Sequence, residues 1–261
     1  MLISGKERLR YDCQLVLKEV GERGQDTLRR SSVLVVGAGG LGAPALYYIV
    51  AAGVGRVGIV DDDVVELSNL QRQILFTTDD IGRSKVECAA ARLRALNPDV
   101  QVEPHAMRLM AANTLDLVRR YDVIVTAVDN FPTRYLLNDA CVLERKTLID
   151  GAVLRMVGLA MTVKGGETAC YRCVFPEPPP PACVVSCSEA GVLGPIPGTI
   201  GAIQALEVIK VLTGAGTPLY DRLLQFDGAA MTFNQVEIAR VPTCPVCGEQ
   251  PTITELVDYD A

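Results

Sequence analysis

The chain has 261 residues, 49% of them hydrophobic and 21% charged, with a mean hydropathy of +0.25, which supplies one large α/β core and excludes a disordered composition. A net charge of −6 and a pI near 5.0 exclude a global positive field for nucleic acid or anionic lipid, so a polyanionic ligand must meet a local cluster of Lys and Arg. One histidine, His105, nearly excludes histidine-based metal or dyad chemistry, and 5% aromatics without Trp speak against base-stacking platforms.

The N-terminus, MLISGKERLR, is charged where a signal peptide needs an apolar core, and no run reaches the ~20 consecutive apolar residues of a membrane span. A cytoplasmic protein is expected, with neither nucleic-acid nor membrane partners. Its nine cysteines then read as metal ligands, nucleophiles or core residues, not as disulfides.

Residues 1–30 read as a helical arm in which Gly21 and Gly24 break the pattern. Residues 31–261 are expected to form one domain, a nucleotide-binding half at about 31–150 and a second half at about 151–261. The run VLVVG (33–37) suits a parallel strand buried on both faces; a glycine turn, an apolar helix at 43–52 and a second strand at 57–61 follow. A helix at 83–97, a strand near 100–104, a helix near 112–120 and a strand at 122–128 continue the alternation. That order predicts a doubly wound, mostly parallel Rossmann-like sheet. Further strands at 158–163 and 231–238, and a helix at 200–213, extend it in the second half. The loop PEPPPPAC (176–183) is too rich in proline for helix or central strand and is expected to be exposed and mobile.

Gly37-Ala-Gly39-Gly40-Leu-Gly42 is G-x-G-x-x-G between a strand and a helix, where backbone amides and the helix N-terminus favour phosphate. Asp61 ends the next strand, where a carboxylate can accept from ribose hydroxyls. A glycine turn needed only for tight strand–helix packing is the plainer alternative. Arg72 and Lys85, downstream of Asp61-Asp62-Asp63, favour a triphosphate over a dinucleotide. Asp129, in Val128-Asp129-Asn130 at the end of the fourth strand, suits a Mg²⁺ ligand. Taken singly, Arg72 and Lys85 also fit a solvated face, and Asp129 a helix N-cap.

Cys170-x₂-Cys173 and Cys244-x₂-Cys247 can each chelate one side of a tetrahedral metal, and four thiolates make a closed structural zinc clip without catalytic position. A redox dithiol is the alternative. Cys183 and Cys187 lie in and just after the proline loop; an exposed Cys187 beside an activated acyl group can act as a nucleophile or remain inert.

Together these motifs resemble the MoeB/ThiF family, the bacterial relatives of ubiquitin-activating enzymes. The resemblance spans essentially the whole chain: Arg10-Tyr11, GAGGLG (37–42), DDDVVELSNLQRQ (61–73), Gly82 with Lys85, VDN (128–130), the four zinc-type cysteines and C-x-E-A-G-V (187–192). It implies adenylation, by MgATP, of the C-terminal Gly-Gly carboxylate of a small ubiquitin-like sulfur carrier, with release of pyrophosphate, in a molybdopterin, thiamine or tRNA thiolation pathway. The nucleotide set it implies is Gly37, Gly39, Gly40, Gly42, Asp61, Asp63, Ser68, Asn69, Leu70, Gln71, Arg72, Lys85, Asp129 and Asn130. Asn69 and Arg72 would bind phosphates, Lys85 would neutralise the α-phosphate, and Asp129 would hold Mg²⁺. Cys187 matches the cysteine that in some members takes over the carrier's C-terminus or sulfur.

A homodimer is also implied, with the N-terminal arm crossing into the neighbouring site. The family's R-Y-x-R-Q reads Arg10-Tyr11-Asp12-Cys13-Gln14 here, so a cation is replaced by Cys13, and weaker ATP binding or another source of charge is expected. Fourteen residues follow Cys247, too few for a fused rhodanese-like domain, so sulfur is expected from a separate donor protein. The competing readings are a catalytically silent carrier-binding protein and an NAD-dependent oxidoreductase. The latter leaves SNLQRQ and the zinc cysteines unexplained.

Overall fold

The apolar run becomes β1 (Ser32–Val36), buried along its whole length. Its alternation divides the core: Val33 and Val35 join one hydrophobic cluster, Leu34 and Val36 the other, on opposite faces of the sheet. The computed structural model describes residues 3–180 and 187–259, apart from the side chains of Cys187 and Ser188. Among the described residues seven more strands follow: β2 (Arg56–Val60), β3 (Gln101–His105), β4 (Val123–Thr126), β5 (Thr147–Leu154), β6 (Val157–Lys164), β7 (Arg222–Asp227) and β8 (Thr232–Glu237). All belong to one sheet in the order β3-β2-β1-β4-β5-β6-β7-β8. The first five pair in parallel; β6, β7 and β8 are added antiparallel. The fold is therefore the expected doubly wound α/β sheet with an antiparallel extension.

Helices cover both faces. On one side lie α3 (Gly21–Arg30), α4 (Gly42–Ala51), α5 (Lys85–Leu96) and α10 (Pro195–Thr213), which bury Leu28, Leu46, Ile49, Leu93, Ile200 and Val208. On the other lie α6 (Ala111–Arg119) and α7 (Phe131–Leu143), which bury Leu117, Val118, Leu136 and Leu137. Each such side chain contributes about 1.5–3 kcal/mol. Cys88 and Cys141 belong to these clusters as core residues. Burial raises the Cys141 thiol far above its ordinary pKa.

Two expectations are corrected. Gly21 and Gly24 do not break the arm; both lie in α3, and Gly24 leaves room for Val20 and for Thr213 of α10, where an added Cβ would stand 3.0 and 3.5 Å away. The helix expected from 200 begins at Pro195, because prolines in a first turn lack only amides that have no intrahelical partner. This helix is long and apolar enough to cross a membrane by length and composition, with mean hydropathy 1.3. Instead it packs on α4, β5 and β6.

The short helices α1 (Gly5–Arg10) and α2 (Asp12–Leu15) complete the arm. Tyr11 is buried with its hydroxyl accepting from Asn97 Nδ2 (2.9 Å), and Gln14 and Gln25 donate to Ala52 O (3.2 and 2.9 Å). Ala52 follows the C-terminus of α4, so the arm docks at the edge of the sheet opposite the strand C-termini.

Candidate functional site

From β1 the chain moves to β2 and β3 on one side, then returns to place β4 and β5 on the other. The loops after β1 and β4 therefore diverge, which is where ligands bind in open α/β sheets. A cavity of about 940 Å³ lies there. Of the expected nucleotide set, Gly37, Gly39, Gly40, Asp61, Asp63, Arg72, Lys85, Asp129 and Asn130 line it. Gly42, Ser68, Asn69, Leu70 and Gln71 are not among the lining residues.

The glycines divide by position. Gly37 has φ +97°, and a Cβ on it would meet Ala127 O at 2.5 Å; one on Gly42 would meet Gly37 O at 1.9 Å. Those two serve the strand–turn–helix packing. Gly39 and Gly40 face the cavity.

Residues 67–73 act as a scaffold. Asn69 is buried; its Oδ1 accepts from Glu66 N–H (3.2 Å), and its carbonyl accepts from the amides of Arg72 (3.0 Å) and Gln73 (2.9 Å). Ser68 O accepts from Arg72 Nη1 (3.1 Å). The turn delivers Arg72 and Gln73 to the cavity wall.

The carboxylates differ in how they are engaged. Asp61 accepts the amides of Ala38 (2.8 Å) and Asp63 (3.0 Å). Burial raises its pKa, with the Lys85 charge and these amides opposing. The buried ammonium of Lys85 pairs with Asp63 at 2.8 Å. Asn130 caps α7 by accepting Thr133 N–H (2.9 Å), so the capping role left open for Asp129 belongs to its neighbour. Asp129 is exposed to the cavity, with no ion pair among the described residues. An unengaged carboxylate there fits a hard divalent cation.

Four cavity residues escaped the sequence reading. Arg134 and Asp150 form a fully buried pair (2.7 and 3.0 Å), and Arg134 also donates to Val128 O (3.0 Å). Burial raises Asp150, and Arg134 opposes it. The pair links α7 to β5, which the sequence did not announce. Arg108 and Arg155, lone cations in loops, also line the cavity. Away from the glycines the wall turns apolar, with Val153, Leu154, Val157 and Leu159 of the β5–β6 hairpin facing Phe175 and Pro179.

Neither Arg10 nor Cys13 lines the cavity of its own chain. Arg8 pairs with Glu22 (2.5 Å), and Arg10 donates to Leu96 O (3.1 Å). Cys187 opens the short helix α9 (Cys187–Ala190), five residues before cavity-lining Val192. Its side chain, and Cys183, lie outside the described residues.

The four zinc-type cysteines converge. Sγ of Cys170 lies 3.6 Å from Cys244 and 4.0 Å from Cys173, which lies 3.4 Å from Cys247. Tetrahedral thiolates about 2.3 Å from zinc are ~3.8 Å apart, so the set fits that ion. Val241 N–H points at Cys173 Sγ (3.4 Å), and the neighbouring Cys170 thiol holds Cys173 far below the ordinary thiol pKa. Cys170 caps the short helix α8 (Tyr171–Val174), which carries Cys173 and whose Arg172 is clamped by Asp139 of α7 (2.8 and 2.8 Å). Tyr259 bonds to both (2.6 and 2.7 Å), and Arg172 donates to Pro176 O (3.0 Å). Tyr135 donates to Glu177 O (2.7 Å). Pro176, Glu177 and Pro178 are exposed, as the proline loop was expected to be, yet its root is fastened.

Comparison with known proteins agrees with this architecture. The ThiF family profile matches residues 11–246. A sulfur carrier protein adenylyltransferase of Thermus thermophilus is 52% identical over 262 residues, covering 98% of this chain and 97% of the relative. The adenylyltransferase and sulfurtransferase MOCS3 of Sus scrofa is 50% identical over 259 residues, 99% of this chain and 57% of the relative. The chain thus spans a little over half of that relative's length. Among solved structures, E. coli MccB with MccA-N7isoASN aligns at TM-score 0.81 and 22% identity, over 95% of this chain and 76% of that one. E. coli MccB with AMPCPP and MccA aligns at 0.83 and 23%, over 93% and 75%. At that identity the likeness is one of fold.

Proposed function

The chain belongs to the ThiF family, and from that premise we propose that it adenylates the C-terminal Gly-Gly carboxylate of a small ubiquitin-like sulfur carrier with ATP, releasing pyrophosphate. The observation that carries this reading is a single cavity with two ends: a glycine loop with Arg72 and Lys85, and an apolar hairpin wall. The first end suits a nucleotide triphosphate. The second suits an extended peptide tail leading to the same point.

In the reaction a carboxylate oxygen of the carrier attacks the α-phosphorus. The bond to the bridging oxygen breaks, pyrophosphate leaves with the electron pair, and an acyl-adenylate remains. The attacking carboxylate is ionised at pH 7, so no general base is required, which agrees with a site without histidine. Catalysis then consists of alignment and of spreading charge. The loop of Gly39 and Gly40 receives phosphate, and Asp61 stands at the ribose. Arg72 and Lys85 neutralise charge as it moves to the leaving group. Release of Lys85 from Asp63 toward a phosphate costs little, because Asp63 is 66% exposed. Mg²⁺, when bound, supplies further positive charge to the phosphates, and Asp129 would hold it.

The four cysteines would hold a structural zinc, with no ligand position open for chemistry. A reducing cytoplasm is the setting in which such thiolates bind metal without pairing. Cys187 would accept the carrier's C-terminus or sulfur, and sulfur would come from a separate donor protein. In a homodimer, the arm, which lies away from the cavity of its own chain, would reach a neighbour's site.

The test is mass spectrometry of each Gly-Gly-terminated carrier of the same cell after incubation with enzyme and MgATP. One carrier is expected to gain the mass of AMP, and to fail to do so without its last glycine. No adduct on any carrier, with pyrophosphatase present to draw the reaction forward, contradicts the reading and favours a silent carrier-binding protein.

A further inference from the structure

Residues 248–259, beyond the fourth cysteine of the cluster, take no part in the reaction above. They start against that cluster, where Glu249 N–H donates to Pro242 O (2.9 Å) and the amides of Thr252 and Ile253 donate to Pro245 O (2.9 and 2.8 Å). Ile253, Leu256 and Tyr259 then pack on the second hydrophobic cluster. Tyr259 ends the run on the buried Arg172–Asp139 pair, its ring 6.1 Å from that of Tyr135. One residue earlier, Asp258 Oδ1 accepts the amide of Ala111 at 2.7 Å, across 147 residues of sequence.

Ala111 opens α6, and that helix lacks a cap of its own. Met110, the residue before it, makes no side-chain capping bond, and the first turn carries no acidic residue. Asp258 supplies from outside both the acceptor and the negative charge that a helix N-terminus favours. The same turn holds part of the nucleotide cavity. Asn113 donates to Arg108 O (3.0 Å) and accepts Met110 N–H (2.9 Å), so the loop of 108–110 follows α6.

Arg108, Leu109 and Thr133 line the large cavity on one side. The same three residues line a second hollow of about 50 Å³, which Asp258 and Tyr259 also line. They therefore form a partition between the two spaces. A wall with a void behind it has lost packing contacts on that side and keeps its place through its fastenings.

We propose that Asp258 is a positioning residue for the nucleotide cavity: bonded to Ala111, it pins the first turn of α6 and, through that turn, the Arg108–Leu109 wall. Tyr259 anchors the segment from which Asp258 reaches. The proposal rests on the nucleotide reading of the cavity. Without the pin the wall is displaced for part of the time, and the apparent affinity falls with the fraction of molecules that have it in place.

The experiment compares wild type, Asp258→Ala and Asp258→Asn by calorimetry with MgATP, by amide hydrogen exchange and by melting temperature. Asp258→Ala should bind MgATP about fivefold more weakly, the effect of losing one cap. Its amides at 108–112 should exchange faster while those at 170–175 keep wild-type protection, and its melting temperature should fall by no more than about 4 °C. Asp258→Asn, whose carboxamide oxygen can still accept from Ala111, should restore both affinity and protection. An Ala variant with wild-type MgATP affinity overturns the proposal. So does an Asn variant as weak as Ala, which would make the effect one of charge at a distance, or faster exchange throughout the chain, which would make the residue merely structural. Wild-type protein that binds no MgATP overturns the nucleotide reading and this proposal with it, even where exchange at 108–112 still depends on Asp258.

Discussion

The parallel and antiparallel halves of this sheet hold their chemistry in different ways. In the parallel half the important side chains hang from strand ends and short turns: residues 37–40, 61–63, 72–73, 85 and 129–130 meet at one cavity because the topology brings the loops there. In the second half the contacts are long-range and buried. Cys170 and Cys244 are 74 residues apart in sequence and 3.6 Å apart in space. Arg172 reaches Asp139 and Tyr259, 33 and 87 residues away. The difference teaches that the two loads are separable at particular residues: Lys85 can be removed while its partner Asp63 stays hydrated, whereas removing one partner of Arg172–Asp139, or of Arg134–Asp150 at the cavity's floor, leaves a buried charge.

Asp139→Ala should show this most strongly. It leaves the Arg172 guanidinium, 4% exposed, without its carboxylate, at a cost of about 3–5 kcal/mol. Urea unfolding measures it, and a loss below about 1 kcal/mol would erase the contrast. Lys85→Ala comes next. It should lower adenylation about 10²–10³-fold with little change in melting temperature, since its partner Asp63 stays hydrated. A large fall in stability instead would make Lys85 a structural residue like Arg172.

The same contrast explains what the sequence disclosed. The glycine turn, the acid after β2 and the strand runs of the parallel half are local signals, so β1 to β4 and most of the cavity's charged groups were legible. Strands β5 and β7 were not: Thr147–Leu154 is interrupted by Asp150 and Gly151, and Arg222–Asp227 has Gln225 at its centre. Their places are fixed by pairing with β4 and β6, which no local pattern encodes. Arg134 was hidden for the same reason, because its meaning depends on Asp150 in an unannounced strand. The cysteine spacing was the exception, since metal ligation requires pairs that remain visible at any separation.

Two smaller effects sharpen the comparison at its edges. Cys13→Arg restores the second arginine of the family's N-terminal pattern on an exposed arm position. MgATP should bind more tightly, by at most about fivefold, without change in ligand-free stability. Unchanged affinity, by calorimetry, would remove the position from any phosphate contact.

The smallest effect is at His105 on the edge strand β3, bonded to Tyr121 (3.0 Å), whose hydroxyl donates to Glu103 (2.7 Å). Burial first, then the charge of Arg120, hold His105 below its ordinary pKa of 6.5. The folded state thus binds fewer protons than the unfolded one below pH 6.5. Stability should be full above that pH and decline as pH falls from 6.5 through the folded-state value. In His105→Gln that part of the decline should vanish from unfolding curves; an unchanged slope would assign it to carboxylates.

The most direct test of the account is ATP–pyrophosphate exchange with Mg²⁺, run with the Gly-Gly carriers of the same cell and with versions lacking the terminal glycine. Exchange that requires one intact carrier, and that collapses in Lys85→Ala but persists in His105→Gln, is the predicted result. MgATP binding without exchange for every carrier would contradict the account and leave the cavity as the site of a carrier-binding protein without catalysis.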